Sequence, residues 1–363
     1  MRGLYVHIPF CDAICHYCDF VKHVSKGHDH NTKYLEALRN EIQFYYAKYP
    51  HVDTIYIGGG TPSALNPEEL TFLLEALSVY HPIEYTIEVN PESYDHEKGM
   101  IIKSYGINRV SLGVQTFNQK HLERLNRKHT NQMVFDTIVS LKSLGISNLN
   151  VDLIYALEHQ TVEELHHDID TLISLNIPHV SAYSLIIEEK TFFSHQLKRN
   201  KFVKTDEDTE ATMYDVVIDR FKDAGYDHYE ISNFSKEGKT SLHNTLYWTL
   251  QDYIGVGLGA HGFIDNKRTY NHKAMSKYVI NPLKEVIEQD EETLRNDHLL
   301  FKLRMTQGID LNMVKSKYKD DIFNLYPSLL RFIDDGLLMI EDNHLKLTRR
   351  GLQLGNLVFM VFI

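Results

Sequence analysis

Three cysteines, Cys11, Cys15 and Cys18, fall within eight consecutive positions, and the rest of the chain has none. An odd number of thiols on one short loop builds no disulfide framework. In a reducing compartment such a cluster reads as a metal site. Thiolates suit soft metals, and three on one loop can grip three corners of a 4Fe–4S cube. The fourth iron then stays open to a small bidentate ligand. The competing reading is zinc, completed by His7 or His16. Zinc loops usually use two separated ligand pairs, however, and no second pair exists here.

Further chemistry lies downstream. Gly58-Gly59-Gly60-Thr61-Pro62 ends a β-rich run, and its glycines let backbone approach a ligand with no Cβ in the way. Such a turn can also serve chain reversal alone. Glu88, Gln115 and Asp152 each stand near the end of an otherwise apolar run, where Val or Ile is expected. A carboxylate buried there needs a cation, a ligand or a polar network. Arg127, after the fourth such run, brings a cation to the same end. His243, followed by Tyr247 and Trp248, has two readings. One is an imidazole that ligates a metal beside stacking aromatics; the other is a polar turn whose aromatics tie a second domain to the first.

The elements that must position these residues alternate. β-rich runs cover Leu4–Ile8, Thr54–Ile57, Tyr85–Val89, Arg109–Val114, Leu149–Ile154 and His179–Leu185. Helical patterns near Lys33–Lys48, Pro67–Val79, Asp95–Tyr105, Gln132–Leu144 and Val162–Leu175 separate them, and Gly106, Gly145 and Asn176 stand as left-handed helix caps. Six βα units predict a parallel sheet with right-handed crossovers, an α/β fold closed into a partial (β/α)6 TIM-like barrel. Sites in such barrels gather at the carboxyl ends of the strands. The predicted organisation is a barrel over residues 1–225, closed by a helix near Asp206–Ala224, and a connecting segment over 226–280. A smaller, largely helical domain with a winged-helix-like hairpin follows over 281–363. That hairpin joins Leu337–Ile340 and Leu345–Leu347.

Composition excludes several classes. The chain has 363 residues, 38 Lys+Arg against 49 Asp+Glu, and a net charge of −11, which argues against a nucleic-acid or anionic-membrane binder. Gly308–Arg350, the winged-helix-like part, balances seven Lys/Arg with seven Asp/Glu and lacks a basic footprint. No apolar run approaches the ~20 residues of a membrane span, and no signal core opens the chain, so the expected location is the cytoplasm.

Tyr5-Val6-His7-Ile8-Pro9-Phe10-Cys11, the Cys-x3-Cys-x2-Cys loop and the Gly-Gly-Gly-Thr-Pro turn resemble the radical S-adenosylmethionine superfamily. More narrowly, they resemble the group of oxygen-independent coproporphyrinogen III oxidases and their heme-chaperone relatives. The resemblance runs through Ile186 and continues in Tyr229–Phe234 and His243-Asn244-x2-Tyr247-Trp248. It implies that Cys11, Cys15 and Cys18 hold a 4Fe–4S cluster flanked by Tyr17, and that Tyr5, Gly59 and Glu88 contact S-adenosyl-L-methionine. Gly60, Thr61, Gln115, Arg127 and Asp152 match a second S-adenosylmethionine site of the oxidase. Ile186 is counted among the cofactor-binding positions, and His243 is the heme-ligand candidate.

Two departures separate the branches. Where the oxidase has a further cysteine two residues after the last cluster ligand, this chain has Phe20. The oxidase also carries an extension before the first strand, whereas here that strand is entered at Leu4. Both favour the heme-chaperone branch. Ala156-Leu157-Glu158 stands where relatives usually show Gly-Leu-Pro. The resemblance therefore implies a chaperone that binds heme and passes it to an acceptor apo-hemoprotein of the respiratory chain. A homodimer and a transient contact with a membrane-bound acceptor are further expectations. The rival is an oxidase, in which the reduced cluster splits S-adenosylmethionine and the resulting radical starts the decarboxylation of a porphyrinogen propionate. In both, the cofactor supplies the hard chemistry and the protein positions it.

Overall fold

The computed structural model describes residues 1–25 and 27–363. All six expected strands form, as Arg2–Ile8, Thr54–Gly59, Glu84–Val89, Arg109–Gln115, Asn148–Tyr155 and His179–Ser184, each pairing in parallel with the next. Their inward and outward faces are both buried, so they read as near-continuous apolar runs, as parallel strands covered on both sides must. Leu38, Leu73, Leu74, Ile138, Leu141, Ile169 and Leu172 from the intervening helices close over them. The caps are as expected: Gly106, Gly145 and Asn176 adopt φ of 80°, 78° and 51°.

The expectation of six strands falls short. Asp252–Gly257, in the stretch read only as Gly-rich, pairs in parallel with Arg2–Ile8 and adds a seventh parallel strand. Antiparallel strands His261–Ile264, Lys267–Asn271 and Leu283–Glu288 extend that edge, and Asn233–Ser235 with Asp227–Glu230 extend the other. The result is one twelve-stranded, open sheet. Glycine hid the seventh strand, because its β-propensity is low. A Cβ on Gly255 would lie 1.9 Å from the carbonyl oxygen of His261, so the tight pairing itself demands the residue that disguises it.

The chain becomes helical at Glu291 rather than near Asn281, since Leu283–Glu288 is a strand. Beyond it lies a separate apolar core containing Leu299, Leu303, Ile309, Val314 and Leu345. The hairpin forms as Leu338–Glu341 and His344–Leu347, with Ile309–Asp310 as a third strand. Among the described residues no helix is long and apolar enough to cross a membrane.

Candidate cofactor site at the barrel mouth

The first strand delivers the chain to the mouth, where Phe10–Cys11 pairs with His23–Val24 and draws the cysteine loop closed. Backbone bonds pin this loop from outside: His16 N donates to Leu125 O and Phe193 N to His16 O, both at 3.1 Å. The amide of Asn126 donates to Ile14 O at 2.8 Å. Tyr17 packs on an apolar cluster of Leu125, Ile154, Leu185 and Phe193. A loop held from this many sides is preorganised for its ligands.

All three thiols line one cavity together with Tyr17, Gly59, Gly60, Thr61, Glu88, Gln115, Arg127 and Asp152. Burial pushes the Cys11 thiol up to about 11, against a hydrogen bond from Thr61 Oγ1 at 3.5 Å, and raises Cys18 as well. Thiols so placed stay protonated until a metal replaces their protons. The donor set fits an iron–sulfur cluster: soft ligands on one loop around open space. It does not fit a single ion. No three His, Cys, Asp or Glu side chains among the described residues converge closely enough to hold one. Both nitrogens of His7 are engaged, Nδ1 with Tyr5 Oη at 3.0 Å and Nε2 with Val21 O at 2.7 Å.

The glycine turn forms the opposite wall. Gly59 has φ +112°, and a Cβ there would lie 2.5 Å from the His7 ring; one on Gly60 would lie 2.8 Å from Phe10 O. The turn is thus packed on the cysteine loop and leaves its other side bare for a ligand.

Glu88 and Asp152 face the cavity. Glu88 accepts from Tyr56 Oη at 2.9 Å and from Gly59 N at 3.1 Å. Burial, and then the Asp152 carboxylate, push Glu88 up to about 7. Burial also lifts Asp152 to about 6, against hydrogen bonds from Asn150, Ser181 and Ser111. Among the described residues neither acid is ion-paired, although the Arg109 guanidinium draws Asp152 down somewhat. Two carboxylates held this way favour a ligand that brings positive charge. Gln115 reaches the same space by a β-bulge between Gly113 and Gln115, at φ 72°. Bulges of this kind re-aim side chains at sites.

Arg127 arrives in the cavity wall as expected, anchored from several sides. It donates to Gly113 O at 2.6 Å and Asn90 Oδ1 at 2.9 Å, pairs with Glu92 at 3.4 Å, and approaches Cys15 Sγ at 3.7 Å. Ile186, 66 % exposed, stands on the rim of a larger adjoining cavity of about 350 Å³. Reading the sequence missed Tyr56, Arg109, Asn150 and Tyr183, which line that cavity. Arg109 was legible by the rule that singled out Glu88, a charge in an apolar strand. The tyrosines carried no such signal.

Tyr5 stands beside this space, its ring stacked on Tyr56 at 6.3 Å and its hydroxyl donating to His7 Nδ1 at 3.0 Å. One expected residue is not brought to the mouth. His243 lies at the amino-terminal end of the strands, fully buried. Its Nδ1 bonds Thr54 Oγ1 and its Nε2 bonds Tyr247 Oη, both at 2.8 Å. With neither ring nitrogen free, the heme-ligand reading of His243 is corrected: it closes the floor of the barrel. The structural reading of the aromatics holds, because Trp248 packs under Arg304, 4.4 Å from the ring centre, on the helix Glu291–Arg304.

Comparison with known proteins bears on family and fold. Residues 5–172 match the Radical SAM superfamily, and residues 289–354 match the HemN C-terminal domain. A relative from Bacillus subtilis, described as heme chaperone HemW, is 37 % identical over 100 % of this chain and 99 % of its own. One so described from Lactococcus lactis is 36 % identical over 100 % and 97 %. The solved Escherichia coli coproporphyrinogen III oxidase HemN, titled a radical SAM enzyme, superposes with a TM-score of 0.87. It covers 99 % of this chain and 89 % of its own at 23 % identity, a likeness of fold. The chain belongs to the HemW family of the radical S-adenosylmethionine superfamily.

Proposed function

We propose that the protein binds heme in the cytoplasm and hands it to an acceptor apo-hemoprotein, with a 4Fe–4S cluster and S-adenosylmethionine serving structure, dimerisation or gating. The observation that carries this reading is end-to-end likeness to relatives described as heme chaperones. Phe20, at the position of the oxidase's further cysteine, supports it.

Cys11, Cys15 and Cys18 would hold the cluster. When bound, the cluster supplies single electrons and an open iron for the amino and carboxylate groups of S-adenosylmethionine. The chain's own residues do the rest. Glu88, fixed by Tyr56 and Gly59 N–H, receives a cationic group. Gly59 and Gly60 keep side chains out of the way, and Gln115, bulged inward, offers an amide.

The test is direct. The protein, purified anaerobically and given iron and sulfide, is titrated with hemin and separately incubated with coproporphyrinogen III, S-adenosylmethionine and a reductant. Stoichiometric heme uptake without decarboxylation is expected. Sustained decarboxylation with release of 5′-deoxyadenosine would replace this reading with the oxidase one.

A further inference from the structure

The cysteine loop has an outer side as well as an inner one. There a groove of about 440 Å³ opens between the loop and the Lys190–Phe192 segment, within the ~300–1,000 Å³ range of small-molecule sites. Among the described residues its lining holds Lys22, Lys190 and Lys273 and no carboxylate, in a chain whose net charge is −11. The large inner cavity is the reverse, with Asp19, Glu88, Asp152 and Glu188 against Arg109. Lys22 already donates to the carbonyls of Cys18 and Phe20, whereas Lys190 and Lys273 reach solvent. Ile14, Phe20 and Phe192 border the same groove and are 40 %, 63 % and 43 % exposed. Large apolar side chains gathered in the open mark a binding surface.

His16 completes the set. Its Nδ1 lies 2.8 Å from the carbonyl oxygen of Arg124 and must therefore carry the hydrogen. That leaves the lone pair on Nε2, which makes no hydrogen bond among the described residues. Phe192 stacks on the ring at 3.9 Å and holds its plane. A histidine that donates one N–H to a backbone carbonyl is in the state in which it ligates metals.

We propose that this groove is the heme-docking site. The porphyrin lies against Ile14, Phe20 and Phe192, its two propionates meet Lys190 and Lys273, and Nε2 of His16 ligates the iron. The proposal rests on the heme-chaperone reading above. Heme is an apolar plane with two carboxylates on one edge and a metal at its centre, and the groove offers a partner for each of the three. Ligation forms one iron–nitrogen bond by donation of the Nε2 lone pair. The Nδ1 hydrogen stays in place, no electron is transferred, and any water on that side of the iron leaves. Cys15 and Cys18 line this groove too, so cluster assembly and heme loading share a wall.

Soret titrations of the reconstituted full-length protein test this with hemin and with hemin dimethyl ester, which lacks the carboxylates. The double variant Lys190→Glu/Lys273→Glu, changed only at exposed positions, should bind hemin at least tenfold more weakly, while the ester should bind it and the parent alike. His16→Ala should shift the Soret band, with cluster absorbance read in the same sample. If the doubly reversed variant binds hemin as the parent does, the groove is not the site, although the chaperone reading survives. An unshifted Soret band in His16→Ala overturns the ligand assignment. A parent protein that takes up no hemin overturns the chaperone reading and the groove together.

Discussion

At the amino-terminal end of the barrel strands, polar groups answer one another. Glu84 accepts the backbone N–H groups of Leu242 and His243 at 3.0 and 2.8 Å, and both His243 nitrogens are engaged by Thr54 and Tyr247. At the carboxyl end, Glu88 and Asp152 line one cavity, with pKa values pushed upward by burial and, for Glu88, by its neighbour's charge. Both clusters are polar side chains set among apolar strands. What separates them is charge: the floor answers its carboxylate with backbone N–H groups, while the mouth holds two hydrogen-bonded acids close enough to raise one another. The first holds the fold together, and the second awaits a ligand that brings positive charge. Substitutions at the floor should therefore move stability and leave ligands alone, and those at the mouth should do the opposite.

The largest effect belongs to the thiols. Cys15→Ala should abolish cluster assembly, read as iron and sulfide per chain after anaerobic reconstitution, while the cofactor-free fold melts within about 1 kcal/mol of the parent. Retention of a full cluster would mean that the loop is not its seat.

Next comes the floor. His243→Ala removes two buried hydrogen bonds and strands the hydroxyls of Thr54 and Tyr247, a loss of about 2–4 kcal/mol in denaturant titration. Hemin affinity of the folded fraction should be unchanged. Lost heme binding with intact stability would reverse the assignment of the two ends.

Glu88→Gln sharpens the contrast. Losing a charge-assisted contact of about 1.5–3 kcal/mol should weaken S-adenosylmethionine binding roughly 10- to 100-fold, measured by equilibrium dialysis on the reconstituted protein. The pH dependence has a definite sign. Glu88 titrates near 7 in the folded chain and near 4.5 in the unfolded one, so the folded state binds more protons between those values. Cofactor-free stability from this group therefore falls as pH rises from about 4.5 to about 7, whereas affinity for a cationic ligand rises over pH 6 to 8. Glu88→Gln should flatten both trends.

The sequence made the mouth legible better than the floor, for a physical reason. Period and caps placed all six central strands, and a charge in an apolar run exposed Glu88 and Asp152. Neither signal tells which partner a polar residue meets across the fold. Thr54 and His243 are 189 positions apart, and their bond is a product of the tertiary fold. The strand Asp252–Gly257 was lost because backbone crowding there selects glycine, a residue that local propensity reads as a turn.

The smallest effect concerns strain at the mouth. Ala156 sits at φ 57°, in the left-handed region, where the family resemblance implies glycine. A Cβ there costs about 1–2 kcal/mol, while a glycine costs roughly 0.5–1 kcal/mol more backbone entropy on folding. Ala156→Gly should thus stabilise the protein by about 0.5–1 kcal/mol, seen as a shifted urea midpoint with an unchanged slope. The loop has compensated for its departure elsewhere. Glu158, in place of the usual proline, accepts Arg124 Nε at 2.5 Å and Val203 N at 2.7 Å. Arg124 in turn presents the carbonyl that orients His16 on the cysteine loop. If Ala156→Gly proves destabilising, the strain is relieved by contacts around Ala156, and the mouth is better satisfied than its carboxylates indicate.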